Sequence, residues 1–280
     1  MQQNTNLKIQ PIVEIEERAL DIVYEEEHEL AWYRMNAHPR PCFTSQLIGD
    51  IQSNFLEVIN KNSRKVKHIV VASNTKGVFN LGGDLDLFKS LILEKDREAL
   101  LKYALKSIEP LYQFYIGLGK DITTISLVQG DALGAGFEAA ISGDILIAEK
   151  SAKMGLPEVL FNMFPGMGAY SFLSRKVNAA LADQMILSGK LYTASELFEL
   201  GVVDILVEDG EGEQAVYDYL RKQKRSWNTY KSIRKAKRCC NTVTFEELTE
   251  IATIWVDANM KLGHKELRMM ERLVKRQASK

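Results

Sequence analysis

Histidine and cysteine are scarce in this chain. Its 280 residues include four histidines (His28, His38, His68 and His264) and three cysteines (Cys42, Cys239 and Cys240). None of them shows metal-ligand spacing, so no structural or catalytic metal is expected. The cysteines are odd in number and two are adjacent, which points to reduced thiols rather than a disulfide framework. Cys42 is not read as a nucleophile, and His68 is read as packed within a strand. A serine nucleophile elbow, a dinucleotide-binding glycine fingerprint and a P-loop lysine are also missing. No apolar run approaches the length of a membrane span. The first residues lack the basic-then-apolar arrangement of a secretion signal. With 46% hydrophobic and 26% charged residues, the composition is that of a globular protein, and a cytoplasmic location is expected.

Net charge is also small, at −1, but it is unevenly distributed. Residues 211–280 carry 16 Lys+Arg against 9 Asp+Glu, while the first 210 residues carry 20 against 28. A basic C-terminal region of this kind can face a nucleic acid, an acidic carrier protein, a nucleotide phosphate or plain solvent. Lys231, Arg234, Lys235, Lys237 and Arg238 are one cluster within it that could meet an acidic carrier protein or CoA phosphates.

Alternation of apolar and polar residues predicts strands over 12–16 and 20–24, and a third strand is read over 29–35. Pro39 and Pro41 break the chain, and Thr44 can cap a helix over 45–61. Short apolar runs predict buried strands at 68–72, 125–128 and 144–148. Between them lie two glycine loops, Gly77 to Gly83 and Gly130 to Gly136. Helices are expected near Asp84, over about 96–117 and from Phe137 to Ile141. Strand, glycine loop and helix thus follow one another twice, which suggests stacked ββα units of a spiral rather than a dinucleotide-binding sheet. After Gly155 helices dominate. Thr193-Ala194-Ser195-Glu196 reads as a capping box, and a short strand is expected over 202–207. Leu248, Ile251, Ile254, Trp255 and Met260 recur at near-helical spacing, as core or interface residues do.

The chemistry-bearing residues are two glutamates in rigid, apolar settings. Glu138 follows Gly130-Asp131-Ala132-Leu133-Gly134-Ala135-Gly136-Phe137, and Glu158 sits within Gly155-Leu156-Pro157-Glu158-Val159-Leu160-Phe161. A carboxylate in such a setting is costly unless paired, hydrogen-bonded or protonated. Two close together can divide into one acid and one base. Phe79-Asn80-Leu81-Gly82-Gly83-Asp84 adds a second glycine loop at a helix start. Amides from the two loops can converge on one oxygen as an oxyanion hole. Each feature alone has a plainer explanation: a turn, or a first-turn glutamate favoured by the helix dipole.

The order of these motifs, with Pro165-Gly166-Met167-Gly168-Ala169, Leu187-Ser188-Gly189 and Gly201-Val202-Val203-Asp204, resembles the crotonase (enoyl-CoA hydratase/isomerase) superfamily. Within it the chain is most similar to bacterial diffusible signal factor synthases. That likeness rests on Arg40-Pro41-Cys42-Phe43-Thr44, the Asn80-Leu81-Gly82-Gly83 loop, Phe164 to Phe172 and Ile254-Trp255-Val256-Asp257. The resemblance implies an α/β fold: a crotonase-like spiral of ββα units over 1–210, then a C-terminal helical region over 211–280 that covers the acyl site or forms an oligomer interface. It implies catalytic carboxylates at Glu138 and Glu158 and oxyanion donors at the amides of Gly83 and Ala135. It implies substrate contacts at Gly82, Gly136, Met167, Trp255 and Leu273, with Met163 and Phe164 as further candidates for an apolar pocket.

The activity implied is a dual one: dehydration of a 3-hydroxyacyl thioester on acyl carrier protein, then hydrolysis to a free cis-2-unsaturated fatty acid. The alternatives are a CoA-dependent enoyl hydratase or isomerase, and a scaffold that binds a sensor kinase's receiver domain. A homotrimer is implied, while a cofactor, a nucleic-acid partner and a membrane span are not. Ala135 stands where the superfamily loop usually has glycine, Phe137 is bulky beside the first glutamate, and Asn80-Leu81 replaces small residues. These departures weigh against an ordinary short-chain hydratase.

Overall fold

The chain alternates between two sheets, and this alternation builds its active face. The computed structural model describes residues 18–36, 40–60 and 65–277. The strand expected at 12–16, together with His38 and Pro39, lies outside them. β1 (Leu20–Glu25) and β2 (Leu30–Met35) form an antiparallel hairpin, in register from Leu20 opposite Met35 to Glu25 opposite Leu30. From β2 onward the main sheet is parallel. It adds β3 (His68–Ser73), β5 (Thr123–Val128), β7 (Ile145–Glu149) and β10 (Ile205–Val207), in the order β1-β2-β3-β5-β7-β10. Every residue of β5 is buried, because helices cover both faces of the sheet.

The second sheet is made of three-residue strands. β4 (Val78–Asn80), β6 (Asp131–Leu133) and β8 (Lys153–Gly155) run parallel, and β9 (Leu191–Thr193) closes the edge antiparallel to β8. β4 and β6 lie inside the two glycine loops. Each loop is therefore half strand and half turn, which supplies the second β of each ββα unit. Three residues are too few to show a period of two, so these strands leave no pattern in the sequence.

Helices α2 (Leu85–Leu93) and α3 (Arg97–Tyr115) follow β4, and α4 (Ala135–Ser142) follows β6. With α1 (Ser45–Asn60) they pack their apolar faces into the larger core. Downstream come α5 (Ala169–Lys176), α6 (Ala179–Ser188) and α7 (Ala194–Glu199). The capping box at the start of α7 is present in full, with Thr193 and Glu196 each bonding the other's backbone amide. The strand expected over 202–207 begins only at Ile205. The amides of Val202 and Val203 donate instead to the Leu197 carbonyl at the end of α7.

The tail forms α8 (Gly212–Arg225), α9 (Trp227–Cys240), α10 (Phe245–Asn259) and α11 (His264–Gln277). α8 lays Val216 and Leu220 against the outer face of the main sheet, on Trp32, Val70 and Leu127. α10 packs along α3. In the expected α10 stripe, Leu248 and Trp255 are buried, but Ile254 is 59% exposed and belongs to the outer face. His68 packs in β3 as read, with Nε2 2.7 Å from Gln223 Oε1 on α8. Among the described residues no helix is long and apolar enough to cross a membrane.

Candidate active site

Two glycines let the loops meet. Gly82 has φ +103°, and a Cβ built on it would stand 3.0 Å from the Leu133 carbonyl oxygen and 3.5 Å from the Ala135 nitrogen. A side chain there would push the loops apart. The buried Asn80 side chain accepts the Gly82 amide at 2.8 Å, so this departure from the family pattern fixes the turn. Segment 41–43 braces the loop from outside: Leu81 N donates to the Pro41 carbonyl at 2.7 Å, and Phe43 N donates to the Gly82 carbonyl at 2.8 Å. Asp84 then caps α2 by accepting the Leu87 amide at 3.3 Å.

The same principle positions the glutamates. Gly134 has φ +55° and ends β6, so that α4 begins at Ala135 and carries Glu138 in its first turns. Glu138 is 1% exposed. Its Oε1 accepts the amides of Met167 at 2.8 Å and Ala169 at 2.9 Å, where the chain turns into α5. Burial pushes its carboxyl up to about 7, against the opposing pull of those amides. Glu158 lies in a single 3₁₀ turn, Pro157–Phe161. Burial, and then the charge of Glu138, raise its carboxyl to about 8. Its Oε2 is buried with no hydrogen-bond partner among the described residues. The two acids thus differ: the amides of Met167, Gly168 and Ala169 welcome charge on Glu138, while on Glu158 its own backbone amide does so alone, against burial and the charge of Glu138.

Both carboxylates open onto one cavity of about 370 Å³. Of the residues singled out in the sequence, Gly82, Gly83, Ala135, Glu138, Glu158, Met163, Met167, Trp255 and Leu273 line it. Gly136 does not. It faces β4, where a Cβ would stand 2.1 Å from the Asn80 carbonyl oxygen, so its part is to let α4 pack closely on that strand. Phe164 does not line it either, and packs against the core. The cavity walls also include Phe88, Tyr103, Leu160 and Leu191, which the sequence reading missed. Each reads locally as ordinary core or surface, and only the fold brings it here. Trp255 on α10 and Leu273 on α11 show that the tail helices reach the cavity.

A sequence profile of the enoyl-CoA hydratase/isomerase family matches residues 28–276. The chain belongs to that family. A human relative, enoyl-CoA hydratase domain-containing protein 2, mitochondrial, is 32% identical over 189 residues, covering 65% of this chain and 61% of its own length. Rat methylglutaconyl-CoA hydratase, mitochondrial, is 29% identical over 180 residues, covering 60% of this chain and 53% of its own. This chain therefore spans less than two thirds of either relative. The solved structure of an enoyl-CoA hydratase from Bacillus halodurans superposes with a TM-score of 0.77 at 18% identity, covering 91% of this chain and 99% of that one. At that identity the likeness speaks for the fold, and this family member keeps the family's α/β architecture with its helical C-terminal region.

The basic cluster on α9, whose partner the sequence leaves open, is divided between buried and exposed side chains. Arg234 is 6% exposed and reaches Thr123. Arg238 grips both oxygens of the largely buried Asp144 at 3.0 and 2.9 Å. Lys231 and Lys235 pair with Asp121. Arg234, Arg238 and Lys231 tie the tail to the main sheet of this hydratase-family fold, while Lys235 and Lys237 remain exposed. Cys42 is buried, and burial pushes its thiol up to about 12, so no thiolate is available there.

Proposed function

We propose that this chain is a dual dehydratase and thioesterase. It acts on a 3-hydroxyacyl thioester of acyl carrier protein and releases a free cis-2-unsaturated fatty acid that serves as a diffusible signal. One arrangement carries the reading: two acids of unequal character and two loop amides share the wall of one otherwise apolar cavity.

In this reading the amides of Gly83 and Ala135 hold the thioester oxygen and stabilise the enolate. The Glu138–Glu158 pair carries one proton near neutrality, resting on Glu158. Glu158, with no hydrogen-bonding company on Oε2, serves the α-carbon. Glu138, fixed by backbone amides, serves the hydroxyl. For dehydration the shared proton first crosses to Glu138. Glu158 then takes the α-proton, the C3–O bond breaks, and Glu138 protonates the departing oxygen as water. For hydrolysis Glu138 takes a proton from water as it adds to the carbonyl carbon. The same amides hold the tetrahedral oxyanion, and the C–S bond breaks with the proton passing to the thiol.

Gly82, Met167, Trp255 and Leu273 serve as substrate contacts, and the 211–280 region serves as the cover of the acyl site. A homotrimer, a receiver-domain partner and a cytoplasmic location belong to this reading as further proposals. The second reading, a CoA-dependent enoyl hydratase or isomerase, is favoured by the family itself and by the hydratase names of its relatives. Incubation with 3-hydroxyacyl carrier protein and mass spectrometry of the products separates the two. Free cis-2-enoic acid supports the first. Reversible hydration of enoyl-CoA with no free acid overturns it in favour of the second.

A further inference from the structure

A second cavity lies behind the catalytic one. It measures about 50 Å³ and is lined by side chains of α1, α3 and α4, among them Ile51, Phe55, Ser107 and Ala139, together with Met167. Among the described residues its hydroxyls are Ser107 and Ser142, and both are spent on helix carbonyls: Ser107 Oγ donates to Tyr103 O at 2.9 Å and Ser142 Oγ to Ala139 O at 2.8 Å. Such a space offers water no partner and suits hydrocarbon.

The two cavities adjoin. Along α3, Tyr103 and Ala104 line the catalytic cavity, and Ser107 and Leu111, one and two turns further on, line the small one. Along α4, Glu138 lines the first and Ala139 the second. One residue lines both: Met167. Its backbone amide is fixed on Glu138 at 2.8 Å, while its side chain is unbranched and can change rotamer at little cost.

We propose that the small cavity is the terminal compartment of the acyl site, and that the Met167 side chain is the gate that sets acyl chain length. The methyl end of a fatty acyl group runs between α3 and α4, displaces the thioether and stops against Phe55. This rests on the proposed acyl-thioester chemistry and adds to it where the chain goes and what limits it. Phe55, Ile51 and Leu111 line the small cavity and not the catalytic one, so the space between them limits how long an acyl chain can be.

The test compares wild type, Met167→Ala, Ser107→Val and the double variant across a ladder of straight-chain 3-hydroxyacyl thioesters. A parallel ladder of saturated fatty acids is titrated calorimetrically, so that binding is read without turnover. Met167→Ala opens the gate and moves both optima to longer chains, by about tenfold in affinity for two further buried methylenes. Ser107→Val shortens the compartment and trims the long end. In the double variant the two shifts offset each other. A uniform loss at every length in Met167→Ala, with Ser107→Val unchanged, overturns the gate. If Met167→Ala does not fold, Ser107→Val alone decides, because it must cut only the longest substrates. A shifted binding ladder with no thioester turnover by wild type leaves the gate standing and sinks the catalytic reading. Turnover with an unshifted ladder does the reverse.

Discussion

Oε1 of Glu158 lies 2.5 Å from where a Cβ on Gly134 would stand. The second acid therefore occupies the space that the missing side chain leaves, against a backbone already at φ +55°. Gly134→Ala should displace Glu158 and strain the turn at once. The expected stability loss is about 1–3 kcal/mol. The expected fall in turnover exceeds what that loss accounts for, because the acid leaves its place. Urea unfolding beside steady-state kinetics checks both, and a stable variant with full turnover would remove Glu158 from the mechanism.

Glu138→Gln and Glu158→Gln should each reduce kcat by about 10²–10⁴. The double variant should fall little below the weaker single one, since acids that act as a unit are not additive. Kinetics of the three proteins on one thioester substrate decide this.

Both carboxyls are raised above the ordinary 4.5, to about 7 and about 8. The folded protein therefore holds protons that the unfolded chain has released between pH 4.5 and 8. Over that window the pair lowers stability as pH rises, and above the folded values the cost is complete. Relative to wild type, the double glutamine variant should be more stable at pH 8, by a few kcal/mol (roughly 1.4 kcal/mol for each tenfold difference in proton affinity between the folded and unfolded chain). That difference should close near pH 4.5. Denaturant curves at pH 5, 6.5 and 8 test the sign, and a gap that widened toward acid would contradict the burial argument.

Arg238 and Asp144 provide a control for the tail. Arg238→Leu leaves the largely buried Asp144 with the Thr124 amide and hydroxyl and, as a cation, the more distant Arg234, 3.9 Å away. Removing one partner of such a pair costs about 3–5 kcal/mol. Catalysis by the fraction that remains folded should keep its KM for carrier-linked substrate. A raised KM at unchanged stability would return Arg238 to carrier recognition.

Cys42 should resist alkylation, while the exposed Cys239 and Cys240 react. Cys42→Ala should retain turnover within about twofold, since its raised thiol has no ionised form to offer. Peptide mapping after iodoacetamide checks the first point, and kinetics the second.

Much of the main sheet was legible, because its parallel strands are short, largely apolar runs, such as 68–72 and 144–148. The capping box of α7 and the cap at Asp84 were legible too, because each is a contact between residues three apart. The short strands β4, β6, β8 and β9 were not, since three residues carry no period. Gly136 was misplaced for a related reason. Its neighbours Ala135 and Glu138 line the cavity, and the sequence alone does not say which face of α4 each residue takes until β4 is packed against it. Phe88, Tyr103, Leu160 and Leu191 carry no local mark at all. The basic cluster on α9 stayed open in the sequence, because charge density does not show that Asp144 and Asp121 wait opposite.

The residue order alone determined that two glutamates would sit in apolar, glycine-framed turns, since backbone freedom and local polarity are properties of neighbours in the chain. Only the tertiary structure decided that these acids share one cavity, that amides from a distant segment support charge on Glu138 while Glu158 has only its own, and that Met167 divides two hydrophobic spaces. Those are relations between segments far apart in sequence. Proton affinity and cavity shape depend on what surrounds a side chain in space, and that is set when the sheets and helices pack.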